Sequence, residues 1–182
     1  MKTEADTEYQ PFPEKAGRNT RQQDVEVPLF VRLLGLARRR RIVEVGCGAG
    51  IALPGLHRLC APTLLVAMDV DEDALADAAT RSRTLAPTAV LVRGDVRAMP
   101  FADESFDLAV DFGTCYHIAR SEQGLREIER VLMTGGTFAT ETRLNQFFSH
   151  PVRSRRRRLP LEAARRLRME RHCGLWMSFS RL

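Results

Sequence analysis

The sequence lacks most of what would place it in a membrane, a secretory route or a disulfide framework. Its longest purely apolar run, Leu64 to Met68, is five residues, far short of the ~20 that a helix needs to span a bilayer. The N-terminal stretch MKTEADTEYQPFPEK has no apolar core of the kind a secretory signal carries. The four cysteines, Cys47, Cys60, Cys115 and Cys173, include no CxxC pair. A zinc knuckle or a disulfide scaffold is therefore not indicated, no metal site is expected, and reduced thiols are. Aromatic residues are only 7% of the chain and do not interleave with its basic runs, so the stacking platform of a single-strand nucleic-acid binder is missing. The expectation is a soluble, cytoplasmic protein without a membrane partner.

What is present is one domain's worth of chain. With 182 residues, 44% of them hydrophobic and 28% charged, the length supports a full core without covalent staples. The reading divides it into an N-terminal arm and cap helix, residues 1–36, and a main domain, residues 37–182. Net charge is +5 and unevenly spread. From Arg143 onward 11 Arg face 2 acids, a local +9 that leaves −4 for residues 1–142. Arg153, Arg155 to Arg158 and a second run, Arg38 to Arg41, can contact anions. A solvated surface explains the same runs, and nucleic acid is not the expected partner.

Periodicity gives the organisation. Residues 1–24 read as a polar arm or loose lid, and Val25 to Leu36 as a short amphipathic helix. Ile42–Val45, Leu64–Met68, Ala89–Val92, Phe106–Val110 and Thr137–Thr142 read as strands. Helices are expected from the glycine loop to Cys60, over Asp71–Leu85 and over Ser121–Leu132, the last stopped by Gly135-Gly136. A further short helix, Leu161–Arg166, precedes a terminal hairpin of Leu167–Arg171 and Leu175–Ser180. Strands apolar on both faces and alternating with helices predict an α/β fold, a doubly wound, mostly parallel sheet covered on both sides.

In such a sheet ligands sit beyond the carboxyl ends of the strands, where strand order reverses. There the first strand supplies Gly46, Gly48 and Gly50, the second Asp69, the third Gly94 and Asp95, and the fourth Asp111 and Phe112. Asp69 follows Gly50 by 19 residues, the spacing at which an acid meets ribose hydroxyls. Asp95 can accept from an adenine amino group. Acids at three consecutive strand tips are hard to ascribe to packing, because acids are seldom buried unpartnered. A nicotinamide or flavin site calls for G-x-G-x-x-G. The spacing here is G-x-G-x-G, and Glu44 beside the loop would oppose a diphosphate and suit a cationic ligand.

The runs Val43-Glu-Val-Gly-Cys-Gly-Ala-Gly50, Met68-Asp-Val-Asp71, Gly94-Asp-Val96, Pro100-Phe-Ala-Asp-Glu-Ser-Phe-Asp-Leu108 and Arg130-Val-Leu-Met-Thr-Gly-Gly136 together resemble class I S-adenosylmethionine-dependent methyltransferases. The resemblance covers about residues 40–142 in order and spacing, with Thr134 where that family usually has a proline. It implies a seven-stranded sheet with an antiparallel last strand and helices on both faces, in agreement with the terminal hairpin. It also implies S-adenosyl-L-methionine as cofactor, with S-adenosyl-L-homocysteine as product. By resemblance, Glu44 and the backbone of Gly46, Cys47 and Gly48 face the methionine part. Asp69 takes the ribose, with Val70 beside it. Asp95 with Val96 brackets adenine, and the Phe112 backbone meets the methionine amino group; Gly94 and Asp111 are counted with the cofactor-binding positions.

The implied chemistry is in-line transfer to a small-molecule acceptor, of which an anionic or aromatic metabolite is one candidate, by a monomer or homodimer. His117 is the candidate general base, and a loop-packing or substrate-positioning His is the alternative. Tyr116 could orient a substrate or simply pack. Phe147 and Phe148 could wall an acceptor pocket with Arg153 as an anion handle, or the segment is a surface loop with the two aromatics plugged into the core. An RNA or protein methyltransferase using the arginine tail, and a non-catalytic module holding an adenosyl ligand, remain as other readings.

Overall fold

The computed structural model describes residues 15–141, 167–172 and 176–181. Five strands build the parallel core: β1 (Arg41–Val45), β2 (Leu64–Asp69), β3 (Ala89–Arg93), β4 (Phe106–Asp111) and β5 (Leu132–Glu141). Their order across the sheet is β3-β2-β1-β4-β5, and every neighbouring pair among them is parallel. Strand order reverses between β1 and β4, so the crevice opens where Gly46 and Phe112 leave those two strands. Two further segments, β6 (Leu167–His172) and β7 (Trp176–Arg181), pair antiparallel with each other, and β7 runs antiparallel along β5.

Alternation along the strands sends side chains to two opposed cores. Ile42, Leu65, Ala67, Leu108 and Val110 face one side, where they meet Val27 and Phe30 of α2 (Val27–Leu33) and Leu53 and Leu56 of α3 (Leu53–Cys60). Val43, Val45, Val66, Met68 and Ala109 face the other, against Ile128 and Val131 of α5 (Ser121–Val131). A strand apolar at every position can be satisfied only by helices on both faces. Glu44 is the exception among the buried residues of β1: it lies between Val43 and Val45 and is 2% exposed. α4 (Glu72–Leu85) starts cleanly because the Asp71 carboxylate accepts from the backbone N–H groups of Asp73 and Ala74 at 3.1 and 3.3 Å, a side-chain N-cap.

Three expectations need correction. Residues 15–24 are not a loose arm: α1 (Lys15–Arg21) runs into a π-helical turn, Gln22–Glu26, and on into α2. The polar sequence hides this because the stretch is held through one face, with Gln22 and Val27 buried. The expected helix to Leu36 stops earlier, at Leu33, and the chain turns at Gly35, whose φ of 64° suits glycine. Gly135-Gly136 does not end α5 either. The helix ends at Val131 and β5 begins at once, so both glycines lie inside the strand, at the register shift against β4 between Phe106 and Leu108. The expected helix at Leu161–Arg166 and the residues Phe147, Phe148 and Arg153 lie outside the described residues.

Packing carries α2 to the crevice. The Phe30 ring lies 4.8 Å from that of Phe112, at 49°, and Val27 sits so close to Gly55 of α3 that a Cβ there would come within 2.6 Å of Val27 Cγ1.

Candidate active site

The crevice is assembled from strand tips. After β1 the chain turns through Gly46, Gly48 and Gly50, all at positive φ. A Cβ on Gly46 would overlap the Thr114 side chain, and one on Gly50 would meet Leu53 and Ala78 at about 3 Å. Gly48 differs: a Cβ there would meet nothing within 4 Å. Two of the glycines thus let protein pack on protein, whereas Gly48 fronts open space where a ligand can approach backbone.

Asp69 ties this loop to the next strand. Its Oδ2 accepts from the Gly48 N–H at 2.8 Å, its Oδ1 from the Asp71 N–H at 2.9 Å, and its carbonyl from the Gly94 N–H at 3.0 Å. Cys47 N–H donates to the Met68 carbonyl at 3.0 Å. Beside them Val70 is 39% exposed, an apolar side chain left at a strand tip. The Val96 side chain is turned into the core against Gly124 and Ile118, so what it offers the crevice is backbone.

The electrostatics are lopsided. Burial, followed by the charges of Asp69 and Asp111, pushes the Glu44 carboxyl up to about 8. Among the described residues its Oε2 has no hydrogen-bond partner. An enclosed carboxyl oxygen with nothing to bond, among further acids, is what a cationic ligand would complete. The same surroundings raise the Cys47 thiol, through burial and then Glu44 and Asp69. Cys115 is raised by burial and by Asp111. Neither thiol is activated as a nucleophile.

Asp111 plays a part its sequence position did not disclose. Fully buried, it accepts from the N–H groups of Gly113, Thr114 and Cys115 at 2.9, 2.6 and 3.2 Å, and from the Thr140 hydroxyl at 3.1 Å. Its carboxylate shapes the loop after β4, and that loop is what it presents to the crevice. His117 sits in this loop, half-buried, with its N–H on the Thr114 carbonyl at 2.9 Å and its ring 4.2 Å from Tyr116. The sequence reading missed Thr114, Thr140 and Arg97. Arg97 lies two residues past Asp95 and grips its carboxylate; the short Asp-x-Arg spacing was the available signal.

The structure therefore brings Glu44, the Gly46–Gly48 backbone, Asp69, Gly94 and Asp111 to one place, with Asp95 at the next strand tip. The residues fit S-adenosylmethionine: the bare Glu44 oxygen and the open face of Gly48 are what a cationic amino-acid end would need. Fold and crevice form a Rossmann-like arrangement, with glycines and acids gathered at the carboxyl ends of a parallel sheet.

The chain belongs to the family described as "Methyltransferase domain", which matches residues 43–140, and so to the class I S-adenosylmethionine-dependent methyltransferases. It is 33% identical over 100 residues to "Probable phthiotriol/phenolphthiotriol dimycocerosates methyltransferase 2" of Mycobacterium ulcerans, a match covering 55% of this chain and 38% of that one. It is 31% identical over 99 residues to "Fatty-acid O-methyltransferase" of Mycolicibacterium smegmatis, covering 54% and 35%. These matches take in little more than a third of the length of the curated relatives. In fold it is similar to a SAM-dependent methyltransferase from Aquifex aeolicus (TM-score 0.62, 16% identity, 91% of this chain and 96% of that one). It is similar also to the [4+2]-cyclase SpnF (TM-score 0.59, 22% identity, 76% and 51%). Among the described residues no helix is long and apolar enough to cross a membrane.

Proposed function

We propose that this chain transfers a methyl group from S-adenosyl-L-methionine to a small-molecule acceptor, leaving S-adenosyl-L-homocysteine. The observation that carries the reading is the buried Glu44 carboxyl with its bare Oε2 between Asp69 and Asp111, in a chain of this family. Glu44 and the Gly46–Gly48 backbone hold the methionine end, Asp69 the ribose, and Val70, Gly94, Asp95 and Val96 the adenine. The Phe112 backbone meets the amino group. When bound, the donor supplies an electrophilic methyl on a sulfonium, open to in-line attack by an O, N, S or C nucleophile. The protein's share is alignment and exclusion of water, for which effective molarities of ~10⁵ M and above are available.

The acceptor class favoured is a small apolar molecule with an anionic or hydroxyl nucleophile. The relatives' printed names, a fatty-acid O-methyltransferase among them, support it, as does the arginine content beyond Arg143. A carboxylate acceptor is already ionised and needs no base, whereas a hydroxyl calls on one; His117 serves in the second case. The division proposed from the sequence is an N-terminal segment with the cap helix, 1–36, and a donor-binding domain, 37–182; β6 and β7 complete a seven-stranded sheet whose last strand is antiparallel. The protein works in the cytoplasm as a monomer or homodimer. A second reading, an adenosyl-binding module with other chemistry, is favoured by one observation: the fold neighbour SpnF is titled a [4+2]-cyclase, and fold alone does not fix a reaction.

Calorimetry with donor and product, then incubation of methyl-labelled donor with fatty acids, hydroxylated lipids and aromatic acids, tests the assignment. Binding with label transfer to one class is expected. Binding without transfer to any supports the second reading, and absence of binding removes both. His117→Ala should lower turnover on a hydroxyl acceptor and leave donor affinity unchanged; full turnover returns His117 to packing.

A further inference from the structure

The loop after β1 has little with which to hold its own shape. Gly46, Gly48 and Gly50 all stand at positive φ, and glycine loses more freedom on ordering than any other residue. One internal bond closes it, from the Gly50 N–H to the Cys47 carbonyl at 2.9 Å. The other ties come from outside. The Cys47 N–H donates to the Met68 carbonyl, the Gly48 N–H to Asp69, and the Thr114 hydroxyl lies 3.4 Å from the Gly46 carbonyl. The Ala49 carbonyl is taken by α4: Arg81, half-buried, donates from Nε at 3.1 Å. Ala78, one turn earlier on the same face of that helix, is buried beneath Gly50, where a Cβ would come within 3.0 Å of its own. α4 therefore seats the loop at two adjacent residues. The helix starts at the β2 tip, where the Asp69 carboxylate holds both Gly48 and Asp71. Loop, strand tip and helix form a closed circuit, and Arg81 is the link that completes it.

Resting on the adenosyl-donor reading above, we propose that Arg81 is a positioning residue for the donor, fixing the peptide between Ala49 and Gly50 so that the open side of Gly48 is set before a ligand arrives. Arg81 acts through the loop and needs no contact with the ligand. A site competent for only a fraction of the time binds with an affinity reduced by that fraction, and ordering it beforehand removes that loss. A guanidinium suits the task. Its bond to a carbonyl is charge-assisted, and its Nε–H points in a direction fixed by a planar group.

The test reads affinity and loop order on the whole chain, unaltered and as Arg81→Met, which keeps an apolar stem and removes the donors. Calorimetry with S-adenosylhomocysteine should show affinity falling about tenfold, the order of a hydrogen bond to a charged group. Without ligand, amide hydrogen exchange should quicken over residues 46–50 and stay unchanged in β4 and α5. Saturating S-adenosylhomocysteine should erase that difference. Arg81→Lys, which keeps the charge and one N–H within reach of the carbonyl, should lose less affinity than Arg81→Met; should the methionine variant not fold, a measurable loss in the lysine variant carries the test. Unchanged affinity in a folded variant overturns the role of Arg81. So does faster exchange throughout the chain, which marks a general loss of stability, or weaker binding with the loop exchanging as before. Each of these leaves the donor site standing. If the unaltered chain does not bind S-adenosylhomocysteine, the donor reading itself falls and this inference with it.

Discussion

Glu44 is held protonated to about 8 by burial and by the neighbouring charges of Asp69 and Asp111, yet a cation beside it would favour the ionised form. Binding of S-adenosylmethionine below that pH should therefore release a proton. Affinity should rise with pH up to about 8 and level off above it. Calorimetry in two buffers of different ionisation heat measures the proton directly, and Glu44→Gln should abolish both the release and the pH dependence. Stability carries the opposite trend. Unfolded Glu44 ionises near 4.5 and the folded group near 8, so the unfolded chain sheds its proton first and stability falls as pH rises between them. A melting series that is flatter in Glu44→Gln than in the unaltered protein checks this. Asp69 acts differently, because its two oxygens already brace Gly48 and Asp71. Asp69→Ala should weaken donor binding by about 2 kcal/mol, the contribution of a charged hydrogen bond. Undiminished affinity would show that the carboxylate serves the loop alone.

At the scale of elements, the glycine loop separates folding from binding. A Cβ at Gly46 overlaps Thr114, whose hydroxyl lies 3.3 Å from the Val45 carbonyl. Gly46→Ala should therefore cost the overpacking penalty of about 1–3 kcal/mol as well as the left-handed strain. Gly48 has the same sign of φ but empty space ahead of it. Gly48→Ala should melt within about 1–2 kcal/mol of the unaltered protein and yet lose donor affinity. Denaturant titration and calorimetry on the same two variants would read both; equal effects on binding and stability would dissolve the distinction. The strands and their tips were legible because a parallel strand buried on both faces reads as an apolar run ended by Gly or Asp. What was hidden depends on contacts between distant segments. The helical turn at Gln22–Glu26 is polar in sequence and held by one face, the start of β5 at Leu132 is set by its pairing with Phe106, and Asp111 is engaged by Thr140 from β5. Asp69 and Glu44 could be placed from spacing; the Asp95–Arg97 grip could not, since an Asp-x-Arg spacing permits it without requiring it.

For the whole molecule the question is which nucleoside ligand stabilises the fold. A ligand that binds only the folded state adds RT ln(1 + [L]/Kd), about 2.7 kcal/mol at a hundred times Kd. For a domain of this size each kcal/mol moves the melting midpoint by about 2–4 °C. S-adenosylmethionine at that excess should raise the midpoint by roughly 5–10 °C. NAD at the same concentration should leave it in place, because its diphosphate would have to sit close to Asp69 on a loop spaced G-x-G-x-G. Screening sharpens the test. Glu44 and Asp111 are buried and so weakly shielded by salt; the shift with S-adenosylmethionine should persist at high ionic strength. A comparable shift with NAD, or a donor shift that salt abolishes, would mean that surface charge governs binding and the enclosed acids do not.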